Sequence, residues 1–126
     1  MRLAAAVLLT AAACVDAAPR GGAAMPAAGE RAFQKCYSCH SLEGPDPSTQ
    51  GPSLRGIVGR AVAAEPGFAY SPAMRAYAAR QDRWDREALD AFIADPQAVV
   101  PGNDMGFFGI RDARERQDLI ELLVRS

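Results

Sequence analysis

Cys36, Tyr37, Ser38, Cys39 and His40 read C-x-x-C-H. Two thiols three positions apart are spaced to add to the two vinyl groups of one porphyrin. The histidine that follows then lies under the iron as an axial ligand, so the pentapeptide reads as the attachment site of a c-type haem. Two other chemistries use a C-x-x-C pair, a thioredoxin-like redox disulfide and half of a zinc site. A tetrahedral zinc site wants four protein ligands, but the chain has three cysteines and one histidine, and Cys14 stands far upstream. A thioredoxin-like reading needs a parallel sheet, and the β-branched runs that would build one are absent.

A haem iron held by one histidine needs a sixth ligand or keeps an open site. The stretch Val99-Val100-Pro101-Gly102-Asn103-Asp104-Met105-Gly106-Phe107 sets a methionine after a Pro-Gly turn with aromatics and glycines around it. A soft thioether favours Fe(II), so a His40/Met105 pair raises the reduction potential and closes both axial positions. Met74 and Met25 are the rivals for that role, and a methionine that only fills a core gap is the plainer alternative. Bis-histidine ligation within the chain is excluded, because His40 is the only histidine. Between the two ligands, Gly51 to Arg60 is rich in turn residues. Its Pro52 is placed to offer a carbonyl to the other ring nitrogen of His40, fixing the tautomer, although Gly and Pro there also read as simple turn punctuation.

Four segments carry helical signals that would position these groups. Gly29 to Tyr37 puts Ala32, Phe33 and Cys36 on one face. Ser71 to Ala79 offers a Ser71 cap with Pro72 at the first helical position. Asp85 to Ala94 opens on a capping aspartate, groups Leu89, Phe92 and Ile93, and meets Pro96 just past its end. The final segment opens at Asp112 and aligns Leu119, Ile120, Leu123 and Val124. No strand pattern competes, so the expected fold is all-α, about four helices wrapped around one haem, and Gly29 would permit a close crossing of the first and last. The long intervening loops would count against a compact domain without a cofactor at its centre.

The amino-terminal region reads differently. Met1 and Arg2 precede a predominantly apolar run, Leu3 to Ala13, with small residues after it, the pattern of a secretory signal. The run is too short for a membrane span of about 20 residues. Cleavage after Ala17 is one reading of residues 1–18; the other takes Ala11-Ala12-Ala13-Cys14 as a lipoprotein box with Cys14 lipidated. Residues 19–28 read as a flexible Pro/Gly/Ala linker, and residues 29–126 as the domain. Setting aside Arg2, Arg20 and Asp16 from the 14 basic and 15 acidic residues leaves 12 against 14. With no basic block, nucleic acid is not an expected partner.

From Gly29 to Ser126 the chain resembles the class I cytochromes c of the mitochondrial and bacterial soluble type. The resemblance rests on Gly29, Phe33, Cys36, Cys39, His40, the Gly51 to Arg60 loop, Pro66-Gly67-Phe68 with Tyr70-Ser71, Trp84, Leu89, Pro96, Pro101-Gly102, Met105, Gly109-Ile110 and Asp118-Leu119-Ile120. It implies one haem c joined through Cys36 and Cys39, with His40 and Met105 on the iron. It further implies that Arg60, Tyr70 and Trp84 sit near a buried haem propionate, although by themselves Tyr70 and Trp84 suit a core. The chain departs from the mitochondrial members in three ways: Phe92 replaces a tyrosine that reaches the methionine, Asn103-Asp104 replaces a Thr-Lys pair, and the ring of lysines is missing.

The expected function is a monomeric, non-enzymatic single-haem electron carrier outside the cytoplasm, free in the periplasm or tethered as a lipoprotein. It would shuttle one electron between respiratory or dehydrogenase partners. A haem peroxidase would need a distal acid–base residue, and the only histidine is spent on ligation; a gas-binding haem module would need Met105 to be displaced.

Overall fold

The computed structural model describes residues 27–126, so the signal and most of the linker read above lie outside the described residues. Five helices follow one another: α1 (Ala28–Phe33), α2 (Pro72–Ala78), α3 (Arg86–Ala94), α4 (Pro96–Val99) and α5 (Ala113–Arg125). Among the described residues the only β pairing is an isolated bridge between Ala61 and Arg83, and no helix is long and apolar enough to cross a membrane.

The helix starts are set by side-chain caps. Ser71 Oγ accepts from the Met74 amide at 3.0 Å, Asp85 Oδ1 from Ala88 at 2.7 Å and Asp112 Oδ1 from Glu115 at 2.7 Å, each satisfying an amide that the first helical turn leaves unpaired. The sequence predicts about four helices; the fifth, α4, is a single turn read only as the stop after α3. Asp95 leaves helical geometry with φ −155° and ends α3. Its carboxylate then accepts from Ala98 at 3.0 Å, while Pro96 takes the first position of the new turn, where its missing N–H costs nothing.

α1 and α5 pack closely because Gly29 has no side chain. A Cβ there would lie 2.5 Å from the Asp118 carbonyl oxygen and 2.8 Å from Leu122 Cβ. Around this crossing Ala32, Leu119, Ile120 and Leu123 are buried. On the other side of α3, the Trp84 ring lies 5.0 Å from Phe92 and 5.7 Å from Tyr77, centroid to centroid, so aromatic surface extends the core toward α2. The long segment between α1 and α2 is held by backbone bonds to distant parts of the chain: Gly59 to Trp84 at 2.7 Å, Trp84 to Arg60 at 2.9 Å, Val62 to Asp82 at 3.0 Å. Such cross-links supply for a loop what a ladder supplies for a strand.

Candidate haem site

α1 does not stop cleanly. After Phe33 the chain continues in helical turns, with Tyr37 N bonded to Phe33 O at 3.1 Å and His40 N to Cys36 O at 3.0 Å. Cys36 and Cys39 are thereby half-buried free thiols on the same side as His40. Burial pushes the Cys36 thiol up to about 11, against a smaller opposing pull from Lys35.

His40 Nδ1 lies 2.7 Å from the Pro52 carbonyl oxygen. A carbonyl can only accept, so Nδ1 carries the proton. Burial lowers the pKa of the ring more than the Pro52 bond and the nearby Glu65 charge raise it, which leaves Nε2 as an unprotonated lone-pair donor. The ring packs closely against Gly51, where a Cβ would meet Cε1 at 2.4 Å and Nδ1 at 2.7 Å. Gly51 itself is tied back to the motif through its amide, 2.7 Å from Cys39 O.

Two cavities open beside this ring. One is bordered by Cys36, Ile57, Trp84, Leu89, Leu119 and Leu123, the other by Pro52, Phe68, Tyr70, Ser71 and Met74. Cys39, His40, Phe92, Met105 and Gly106 border both. The two spaces are therefore halves of one cleft, with His40 and Met105 at its waist. Met74 borders one half only, and Met25 lies outside the described residues.

Met105 is carried by a loop locked from within. Asn103 is buried; its Nδ2 donates to Pro96 O at 3.0 Å and Val100 O at 2.9 Å, while its Oδ1 accepts from the Met105 amide at 2.8 Å. Phe92 packs on Trp84 and brings no hydroxyl to the methionine. Past Met105, Gly109 (φ +94°) passes so close to α3 that a Cβ would lie 2.1 Å from Ala94 O, and the Ile110 amide bonds Ile93 O at 2.9 Å.

The three residues expected beside a propionate are only partly brought together. Trp84 borders one half of the cleft and Tyr70 the other. Arg60 borders neither: its Nη2 donates to Ser53 O at 2.8 Å, and its Nε is buried with no partner. Tyr70 accepts at its hydroxyl from the Glu65 amide at 3.0 Å, leaving its own proton to donate; burial raises its pKa, with the Arg60 charge pulling the other way. A buried carboxylate group would take up the unspent Tyr70 proton, so the lining fits a haem on the observations of thiols, apolar walls and this donor together. Two residues at the site carry no motif signal in the sequence. Asn103 stands out there only as a departure in a Pro-Gly turn, and Glu65 not at all.

No family model matches the chain. Individual proteins do. Cytochrome c2 of Rhodomicrobium vannielii is 34% identical over 117 residues, covering 93% of this chain and 91% of that protein. Cytochrome c2 of Agrobacterium tumefaciens is 35% identical over 100 residues, 79% of this chain and 90% of that one. With the cytochrome c-type cyt cy of Rhodobacter capsulatus the identity is 40% over 97 residues, and the chain spans 46% of that relative's length. Among solved structures, cytochrome cH from Methylobacterium extorquens superposes with a TM-score of 0.69 at 36% identity, covering 79% of this chain and 96% of that one. The two cytochromes c2, matched over 91% and 90% of their length, a shared helical fold and an apolar cleft behind C-x-x-C-H agree: the chain belongs to the class I c-type cytochromes, electron carriers rather than enzymes, and holds a single haem c through Cys36 and Cys39.

Proposed function

We propose that His40 and Met105 are the two axial ligands of the haem iron, and that the protein shuttles single electrons between redox proteins outside the cytoplasm. The observation that carries this reading is that these two side chains, and no other histidine or methionine among the described residues, border both halves of the cleft. The haem, once bound, supplies the one-electron Fe(III)/Fe(II) couple. The chain does the rest. Pro52 holds the imidazole in the tautomer whose Nε2 is free, and Asn103 presents Met105 through its amide. Ile57, Leu89, Leu119 and Leu123 exclude water from the Cys36 side, so that the charge change at the metal is met by fixed dipoles rather than by solvent reorganisation. Tyr70 and Trp84, which border opposite halves of the cleft, would offer donors to a propionate, and Arg60, which borders neither half, would act on it through its charge.

Location and partners rest on sequence. Residues 1–18 read as an export signal, and the domain's 12 positive against 14 negative charges, without a lysine ring, suit redox partners met by contact rather than by strong steering. If Cys14 is lipidated, the residues between it and α1 form a tether of roughly 20 Å root-mean-square span, raising effective concentration toward partners in the same membrane. Mass spectrometry of the mature amino terminus separates the two forms: a lipid on Cys14 supports the tether, and a free amine at Ala18 or beyond removes it.

Ligation is tested by optical spectra of both oxidation states with and without CO. The expected result is a low-spin, six-coordinate haem in each state with the weak near-infrared methionine-to-iron charge-transfer band in the ferric form. Met105→Ala abolishes the band and opens the ferrous form to CO; Met74→Ala does neither. The reverse pattern, or ready CO binding by the unmodified protein, overturns the assignment.

A further inference from the structure

One peptide group joins Glu65 to His40. The peptide unit between Pro52 and Ser53 accepts at its carbonyl from His40 Nδ1–H at 2.7 Å, and at its other end the Ser53 N–H donates to both carboxylate oxygens of Glu65, at 3.0 and 3.1 Å. Ser53 is 2% exposed, so water does not compete for this amide. The carbonyl of Ser53 itself is held by Arg60 Nη2 at 2.8 Å, and the Glu65 backbone amide by Tyr70 Oη at 3.0 Å. Ser53 and Glu65 are thus also held through their backbones.

Hydrogen bonds in series polarise one another, the more so where the dielectric is low. A carboxylate accepting from an amide N–H draws that proton toward itself and pushes electron density onto the carbonyl oxygen of the same unit. The oxygen becomes the stronger acceptor for the His40 ring proton. A carboxylate bonded directly to a ligand histidine raises its basicity toward the metal in this way; here the peptide unit stands between the two groups. We propose that Glu65 is a positioning residue for electron transfer: through the Pro52–Ser53 peptide it orients His40, increases the electron density the imidazole donates, and so holds the reduction potential below the value set by the His/Met pair alone. This inference rests on His40 being an iron ligand.

The test uses the holoprotein, with Glu65→Gln, Glu65→Ala and the exposed-site control Glu43→Gln. Glutamine keeps an oxygen acceptor for Ser53 and removes the charge. Two quantities are read: the midpoint potential, and the NMR resonance of the His40 ring Nδ1–H in the diamagnetic ferrous state. Glu65→Gln is expected to shift the reduction equilibrium roughly tenfold toward the reduced form, the scale of one unit charge at intermediate dielectric and about 59 mV for one electron. The ring proton moves upfield and the methionine band is kept. Glu65→Ala, which leaves the Ser53 amide without an acceptor, moves both further, and Glu43→Gln shifts the equilibrium by less than about twofold, its charge being screened by solvent. A potential that shifts while the ring proton stays fixed shows a through-space charge and overturns the relay, as does a protein in which neither moves. A parent protein that is not low-spin six-coordinate fails the ligation assignment instead, and its spectrum shows this before any variant is made.

Discussion

The two sides of the cleft are built on different principles. On the His40 side two charged side chains grip the backbone: Glu65 takes the Ser53 amide, Arg60 takes the Ser53 carbonyl, and Gly51 lies close against the ring. On the Met105 side the anchors are two neutral amides, Asn103 and Gln97, whose bonds close within the segment from Pro96 to Met105. Beyond it the chain surfaces, with Phe108 99% exposed. Long-range cross-links tie the histidine loop to the global fold, whereas a locally closed loop opens at its own lower free energy. The methionine side is therefore expected to yield first, and on the proposed ligation the histidine side carries the charges that would tune the iron.

Removing the haem erases the comparison altogether. Cys36→Ala with Cys39→Ala leaves a domain whose cleft runs through its centre and whose remaining apolar contacts cannot offset chain entropy. The double variant is expected to be largely unfolded; a cooperative thermal transition with full helical circular dichroism in it would show that the protein core suffices alone.

Gly51→Ala attacks the histidine side. A methyl group 2.4 Å from His40 Cε1 cannot be accommodated without moving the ring or the loop, an overpacking cost of about 1–3 kcal/mol. Denaturant unfolding should show a stability loss of that size, and the ferrous spectrum should report a perturbed proximal bond. An unchanged spectrum would mean that the ring is less tightly fixed than its contacts indicate.

Asn103→Ala attacks the other side and should do less to global stability. It leaves the Met105 amide without its acceptor, while the Pro96 and Val100 carbonyls keep their backbone donors, a cost of about 1–3 kcal/mol confined mostly to the loop. The methionine charge-transfer band should vanish at a lower temperature than in the parent, well before the helices melt. Coincident loss of band and helix would refute the independence of the two sides.

Local signals in the sequence were enough for much of this. The caps at Ser71, Asp85 and Asp112 act as their residue types indicate, because a capping bond spans three residues and needs no tertiary partner. The C-x-x-C-H spacing specified the cofactor and how it is attached, since both thiols and the histidine fall within one and a half helical turns. Pro52 was legible only as one of two readings of its loop, a partner for His40 or plain turn punctuation, because the two residues are twelve positions apart and the bond forms only when the loop closes. The α1 to α5 crossing was expected together with the family resemblance, Gly29 being the residue that would permit it. The one-turn helix at Pro96 was read only as a stop, since Asp95 closes one helix and caps the next, two roles that a single residue type does not separate.

Tertiary structure decided what depends on contacts between distant segments. Nothing near Glu65 in sequence marks it as more than a surface charge beside a Pro-Gly turn, because its partner amide at Ser53 is twelve residues away and is brought to it only when the loop closes. Arg60, expected beside a propionate, turned out to spend its guanidinium on the Ser53 backbone as well, keeping a single buried N–H in reserve. Composition and spacing determine which chemistry a chain can host; which peptide bond a charge polarises is fixed by packing, since a hydrogen bond requires its two atoms within about 3 Å and no sequence rule places residues that far apart to such a distance.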